Sequence, residues 1–200
     1  MGQRVLAVGA HPDDVEIGSA GLLQRAQTSH VLVATSGERG GDSTTRAQEA
    51  RDAAFLVRAS CTILAHQDTA VCAAALAPDI EAALRRFRPD LILTTSPRDA
   101  HQDHAAVSQA TLIAARDWCG TILGYYTPSV AERFAPNWFV SLTEDEMRVK
   151  MALAACHKSQ NGRPYMAPSY LEAAGRYWAQ VTRSSRPFVE PYELLRHREP

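Results

Sequence analysis

Short unbroken apolar runs mark the first half of the chain: Val5-Leu6-Ala7-Val8, Val31-Leu32-Val33-Ala34 and Leu91-Ile92-Leu93. Runs without polar alternation fit strands covered on both faces, as in a parallel sheet. Between them apolar residues recur at helical spacing. Strands are therefore predicted over Arg4–Val8, Val31–Thr35, Cys61–Leu64, Leu91–Thr95 and Ile122–Tyr126. Helices are predicted over Ile17–Gln27, from Thr44 or Thr45 to Arg58, over Pro78–Arg86 and over His104–Trp118. Further on, Trp138–Leu142 reads as a strand, and Thr143 opens a helix to about His157 with Glu146 in capping-box position. A helix over Ser169–Val181 follows, whereas Phe188–Leu195 has no clear pattern. Alternating strands and helices predict an α/β fold: a Rossmann-like, mostly parallel sheet with helices on both faces, in one domain over 1–200.

Length and charge narrow the function classes. A chain of 200 residues buries a substantial core as one domain. The formal charge of −1 and the lack of a basic block remove the footprint of a nucleic-acid binder. No stretch approaches the roughly 20 apolar residues of a membrane span, and the first residues lead straight into a strand rather than a secretory leader. Cys61, Cys72, Cys119 and Cys156 are scattered without a Cys-x-x-Cys, as expected of free thiols in a reducing compartment, so a cytoplasmic location is expected. A homo-oligomer is compatible with all of this, closed symmetric assemblies being common.

The chemistry concentrates in two loops. After the first strand comes His11-Pro12-Asp13-Asp14-Val15-Glu16, and after the fourth comes Arg98-Asp99-Ala100-His101-Gln102-Asp103-His104. In the commonest doubly wound order these strands are neighbours and their following loops diverge into a ligand-binding crevice. A phosphate is a poor occupant, because Asp13, Asp14 and Glu16 repel it and the glycines do not form a dinucleotide fingerprint. A divalent cation offsets the repulsion between adjacent aspartates. His11 and Asp14, three apart, project on one side of a helical turn, and His101 or His104 supplies a third ligand, the usual protein complement of a catalytic zinc. Asp13 and the remaining histidine are then candidates for proton acceptor and oxyanion donor. Helix capping is the ordinary role of an Asp-Asp pair before a helix; its conjunction with His-x-x-His at a neighbouring strand end argues for more.

At these residues the chain resembles the PIG-L/LmbE-like family of metal-dependent N-acetylglucosamine deacetylases. Its His-Pro-Asp-Asp-x-Glu motif matches His11 to Glu16, and its His-x-Asp-His motif matches His101 to His104. The resemblance implies an LmbE-like fold with His11, Asp14 and His104 as metal ligands, Asp13 as general base and His101 as oxyanion or leaving-group donor. It implies that Asp103 hydrogen-bonds His101 and keeps it cationic, and that Arg46 lies near substrate. Zn2+ is the expected metal, with Fe2+ or Co2+ able to use the same ligands. Phe188 to Tyr192 loosely resembles the family's closing strand, completing the sheet edge or covering the pocket. The implied partner is a small N-acetylated sugar or conjugate. An amidase acting on another N-acyl compound and a non-catalytic metal-dependent carbohydrate binder are the alternatives, and retention of Asp13 and His101 argues against the second.

Overall fold

The computed structural model describes residues 3–130 and 132–199. In chain order the elements are β1 (Arg4–Gly9), α1 (Asp14–Arg25), β2 (Thr28–Val33), α2 (Ser43–Leu56), β3 (Ser60–Ile63), α3 (Ala73–Phe87), β4 (Leu91–Thr95), α4 (Gln102–Ala114), β5 (Gly120–Tyr125), β6 (Trp138–Leu142), α5 (Glu144–Ala155), α6 (Pro168–Thr182) and β7 (Phe188–Arg198). Among the described residues, the strands form one sheet in the order β3-β2-β1-β4-β5-β7-β6. The five strands from β3 to β5 run parallel; β7 is antiparallel to both β5 and β6.

The unbroken apolar runs are explained by burial on both faces. Val5 and Ala7 pack into one core with Val15, Leu23, Met147 and Leu171, whereas Leu6 and Val8 pack into the other with Leu76, Ile80 and Val107. The first core lies under α1, α5 and α6, and the second under α3 and α4. Each fully buried Leu, Ile or Val contributes about 1.5–3 kcal/mol. Helix α1 lies so close to the sheet that a Cβ on Gly18 would come within 2.2 Å of the Tyr125 ring, whose hydroxyl donates to the Val8 carbonyl at 2.9 Å.

Several elements differ from expectation: β2 covers Thr28–Val33 rather than Val31–Thr35, α4 covers Gln102–Ala114 rather than His104–Trp118, and three further differences bear on the architecture. Helix α1 begins at Asp14 rather than Ile17, drawing the acidic motif into its first turn, where carboxylates complement the helix dipole. Helix α3 begins at Ala73, with Pro78 inside it, although proline favours a helix start. Strand β7 is interior, with β6 at the sheet edge, so the segment neither forms the edge nor covers the crevice as a flap.

The capping box at α5 is present: Glu146 N donates to Thr143 Oγ1 at 3.2 Å, and Thr143 N donates to Glu146 Oε2 at 2.8 Å. Arg25 Nε donates to Glu146 Oε1 at 2.7 Å, tying the end of α1 to the start of α5. Thr143→Ala should lower stability by about 1 kcal/mol, read as a lower denaturant midpoint at unchanged slope. The Arg25 guanidinium, helped by Thr143, holds the Glu146 carboxyl down at about 2. A carboxyl depressed in the folded state stabilises above its ordinary value, 4.5, and the effect fades as pH falls toward about 2. The deficit of Glu146→Gln in thermal midpoint should therefore narrow over that window.

Candidate functional site

The chain leaves neighbouring strands β1 and β4 toward opposite faces, because α1 packs on one core and α4 on the other. The crevice this opens is where such sheets bind ligands. His11, Asp13 and Asp14 from the first loop and His101 and His104 from the second line one cavity of about 330 Å3.

Three donor groups converge in it. His11 Nδ1 stands 3.3 Å from His104 Nε2, which stands 3.2 Å from Asp14 Oδ1; Asp14 Oδ2 is 3.6 Å from His11 Nδ1. Tetrahedral ligands at zinc–nitrogen distances of about 2.0–2.1 Å stand roughly 3.3 Å apart, so the spacing suits one ion. The ring orientation is set from behind. His11 Nε2 lies 3.1 Å from both Asp68 Oδ1 and Asp103 Oδ2, and His104 Nδ1 lies 2.8 Å from Asp99 Oδ2. Carboxylates at those nitrogens hold the protons there and leave the facing nitrogens with lone pairs, as in carboxylate–histidine–metal arrangements. Asp14 is aimed similarly: its Oδ2 accepts from Ala10 N at 2.9 Å and His11 N at 2.8 Å. Asp99→Ala should weaken zinc binding by about 10–100-fold, measured by chelator competition.

The surroundings are acidic. Asp13, Asp14, Asp68, Asp99 and Asp103 are all buried, against Arg46 as the buried guanidinium among them. Such an excess of buried negative charge calls for a compensating cation. The imidazoles respond to it: burial lowers both, yet Asp14, with Asp68 at His11 and Asp99 at His104, outweighs burial and raises His11 to about 9 and His104 to about 10, so a metal would take the facing nitrogens in competition with a proton. Against the effect of burial, His104 and His11 together hold Asp14 well below the usual carboxylate range.

Asp13 does not cap. It occupies the N-cap position of α1 without a side-chain capping bond, at φ 118°, a conformation disfavoured for any residue with a Cβ. Its Oδ2 is buried without a hydrogen bond, 3.5 Å from Arg46 Nη2. Burial and the adjacent Asp14 push its carboxyl up to about 7, against the pull of Arg46; a dication in the cavity acts in the opposite direction. Arg46 is buried and donates to Gly37 O at 2.8 Å and Pro12 O at 2.9 Å. The glycine-rich loop exists to admit it: Gly37 has φ 68°, and a Cβ on Gly37 or Gly40 would fall 2.4 or 2.3 Å from Arg46 Nη1. Arg46 lines the cavity, while its hydrogen bonds hold the Asp13 loop.

His101 caps α4, its Nδ1 accepting from Asp103 N at 3.2 Å, which leaves Nε2–H as the donor of the neutral ring. The expectation that Asp103 bonds His101 and keeps it cationic is not what the structure shows. The Asp103 carboxylate faces His11 and accepts from Thr69 N at 2.7 Å and Val71 N at 3.1 Å. Burial, with His104 and His11 nearby, lowers the His101 pKa. The physical reason is the helix start: a residue in the first turn of α4 points its carboxylate back at the β3–α3 loop.

That loop holds what sequence reasoning missed. Asp68 looks ordinary in the sequence, and its neighbour His66 bonds Asp79 at 2.8 Å instead of entering the cavity. The available signal was position alone, an aspartate in the loop after a parallel strand two places from the first. Gln160 and Tyr165 also line the cavity. His157 is fully buried behind it, its Nε2 3.5 Å from Glu16.

The chain matches the family described as PIG-L: GlcNAc-PI de-N-acetylase over residues 6–115. It is 36% identical over 170 residues to the uncharacterized deacetylase YaiS of Escherichia coli K12, covering 78% of this chain and 90% of that protein. Its structure is similar to N,N'-diacetylchitobiose deacetylase of Pyrococcus horikoshii, at TM-score 0.79 and 19% identity over 97% of this chain and 84% of that one. It is similar also to GalB, the 4-carboxy-2-hydroxymuconate hydratase of Pseudomonas putida KT2440, at TM-score 0.81 and 19% identity over 99% and 98%. One of these being a hydratase, the shared fold alone does not choose a reaction. The family match takes in both the His11–Glu16 and His101–His104 motifs, and together with the 36% identity to YaiS it places the chain in the PIG-L family.

Proposed function

We propose that this protein is a zinc-dependent N-deacetylase acting on an N-acetylglucosamine-containing small molecule, with 1–200 as one catalytic domain. The observation that carries the reading is the convergence of His11 Nδ1, Asp14 and His104 Nε2 beside the unpartnered, buried Oδ2 of Asp13. His11, Asp14 and His104 would hold the metal, which supplies Lewis-acid polarisation of an amide carbonyl and makes water more acidic.

Asp13 takes the proton of the attacking water at Oδ2 and later delivers it toward the leaving nitrogen. The Arg46 pair and the φ 118° backbone hold that carboxylate in place. His101 donates Nε2–H to the carbonyl oxygen as negative charge develops there. Asp103 steadies His11 rather than His101, and acts on the reaction through the ligand it orients. The C–N bond breaks, and acetate and the free amine are released. No described helix is long and apolar enough to cross a membrane, and the free thiols fit a reducing cytoplasm.

Metal analysis combined with acetate release from a panel of N-acetylated sugars and other N-acyl amines tests the reading. Acetate from the sugars, dependent on added metal, is the expected result. Release from the other amines alone would replace the sugar with another N-acyl substrate, and none from either with metal bound would replace the enzyme with a binding protein.

A further inference from the structure

Helix α1 is broken in the middle. At Ser19 the backbone leaves the helical region, at φ −147° and ψ 25°, between a first turn that carries the acidic motif and a second part that runs to Arg25. Such a kink has a cause in the hydrogen-bond ladder, and here the groups at the break have found other partners. In an unbroken helix Gly21 N would donate to the Ile17 carbonyl. It donates instead to Glu190 Oε2, on β7, at 3.0 Å. Ser19 Oγ donates to the Val15 carbonyl at 2.9 Å, a back-bond of the kind that bends helices.

Glu190 is held firmly for this contact. The side chain is buried, its Oε2 accepts also from the Tyr192 hydroxyl at 2.8 Å, and its Oε1 accepts from Lys150 Nζ at 2.7 Å. A Cβ on Gly21 would fall 2.8 Å from Glu190 Oε2, so glycine is what lets the carboxylate reach the backbone. None of these groups enters the proposed reaction, and a buried ion pair is by itself weak evidence for a stabilising role. The role of Glu190 therefore lies in what it holds, which is the direction of the first turn. Arg25 ties the second part of α1 to Glu146 of α5 at 2.7 Å, whereas the first turn begins with Asp14 and follows Asp13. A cavity of about 30 Å3 is lined by Ile17 and Gly18 on one side of the break and by Lys150 and Glu190 across from it, and Ile17 also lines the large cavity. The turn has space to move into. Its alternative is a defined one, in which Gly21 N returns to the Ile17 carbonyl, the helix straightens, and Asp13 and Asp14 swing with it.

We propose that Glu190 is a positioning residue of the metal site: by taking Gly21 N it keeps α1 broken at Ser19, and the broken helix aims Asp14 at the ion with Asp13 beside it. This rests on the reading of His11, Asp14 and His104 as metal ligands. Glu190 acts through the backbone of α1 and touches neither the ligands nor the cavity they line. Ser19 supports the same geometry from within the helix, and Lys150 keeps the Glu190 carboxylate oriented.

The test separates the acceptor from the ion pair. Lys150→Met with Glu190→Leu removes both charges and leaves Gly21 N no side-chain acceptor, whereas Lys150→Met with Glu190→Gln removes the same charges and keeps an amide oxygen for it. Each is compared with wild type by chelator competition for zinc and, in the metal-free protein, by the Cα chemical shift of Ser19, which distinguishes helical from non-helical backbone. The Leu variant should bind zinc about tenfold more weakly, at the low end of the loss expected when the support of a metal ligand is removed, and its Ser19 shift should become helical. The Gln variant should recover most of that affinity and keep the non-helical shift. Wild-type zinc affinity in the Leu variant, a Ser19 shift that stays non-helical there, or a loss that Gln does not recover would overturn the proposal. Apolar replacement of a buried ion pair is often neutral for stability, and denaturant midpoints check that both variants fold. If the Leu variant does not fold, Ser19→Ala decides in its place, because it removes the back-bond and favours a continuous helix; it should weaken zinc binding, and unchanged affinity would overturn the proposal. A wild type that binds no zinc, with the Ser19 shifts as expected, removes the metal reading and leaves Glu190 as the pin of the broken helix.

Discussion

Asp13→Asn should retain the metal content of wild type and lose about a thousandfold in kcat, within the 10²–10⁴ range of a lost general base. Asn is the informative replacement. Asparagine keeps the size of the side chain and tolerates positive φ better than most residues, so the backbone at φ 118° need not move. Alanine there adds strain of about 1–3 kcal/mol and mixes a folding effect into the rate. The change removes the carboxylate whose Oδ2 has no hydrogen bond and whose charged partner is Arg46 at 3.5 Å. Asp14, His11 and His104 keep all contacts among themselves. Metal is measured by elemental analysis after dialysis and turnover by acetate release. Metal loss as complete as that of His11→Ala would make Asp13 a ligand and break the division of roles.

What the sequence made legible depended on whether a residue's meaning was local. Strands β1 and β4 were readable because burial on both faces removes polar alternation, and their adjacency follows from the doubly wound order. With them came the expectation that His11 and Asp14 face the His101–His104 loop, which the geometry matches. Residues alone left His101 and His104 interchangeable, since both lie on a loop whose side-chain directions depend on where α4 begins. The helix starts at Gln102, so His101 becomes its cap and His104 turns inward. Asp68 and Asp99 were not assigned roles, because their meaning lies in partners 57 and 5 positions away rather than in their own surroundings. Strand β7 was obscure for a related reason: an antiparallel strand between β5 and β6 carries Glu190 and Glu193 buried, engaged by Lys150 and Ser96. Charged residues in a run normally argue against a central strand.

The distinction between the two histidines yields the second large effect. His104→Ala should empty the metal site after dialysis and abolish turnover in proportion, whereas His101→Ala should keep the metal and lose turnover alone. Removing His104 takes away Nε2, the atom nearest both other donors at 3.3 and 3.2 Å. It also leaves Asp99, buried and held low by His104, without its imidazole partner, so the variant carries an added destabilisation. A stability readout independent of activity separates that destabilisation from metal loss. A ligand bound only by the folded state stabilises it by about 2.7 kcal/mol at a hundredfold excess over Kd. Zinc should therefore raise the thermal midpoint of wild type and of His101→Ala, and chelator should reverse it. His104→Ala should start lower and fail to respond at the same concentrations. The loss should exceed the 10–100-fold expected of Asp99→Ala, because a donor atom is gone rather than its support. A zinc-dependent rise in His104→Ala equal to that in wild type would move the third ligand to His101, and with it the oxyanion donor to His104.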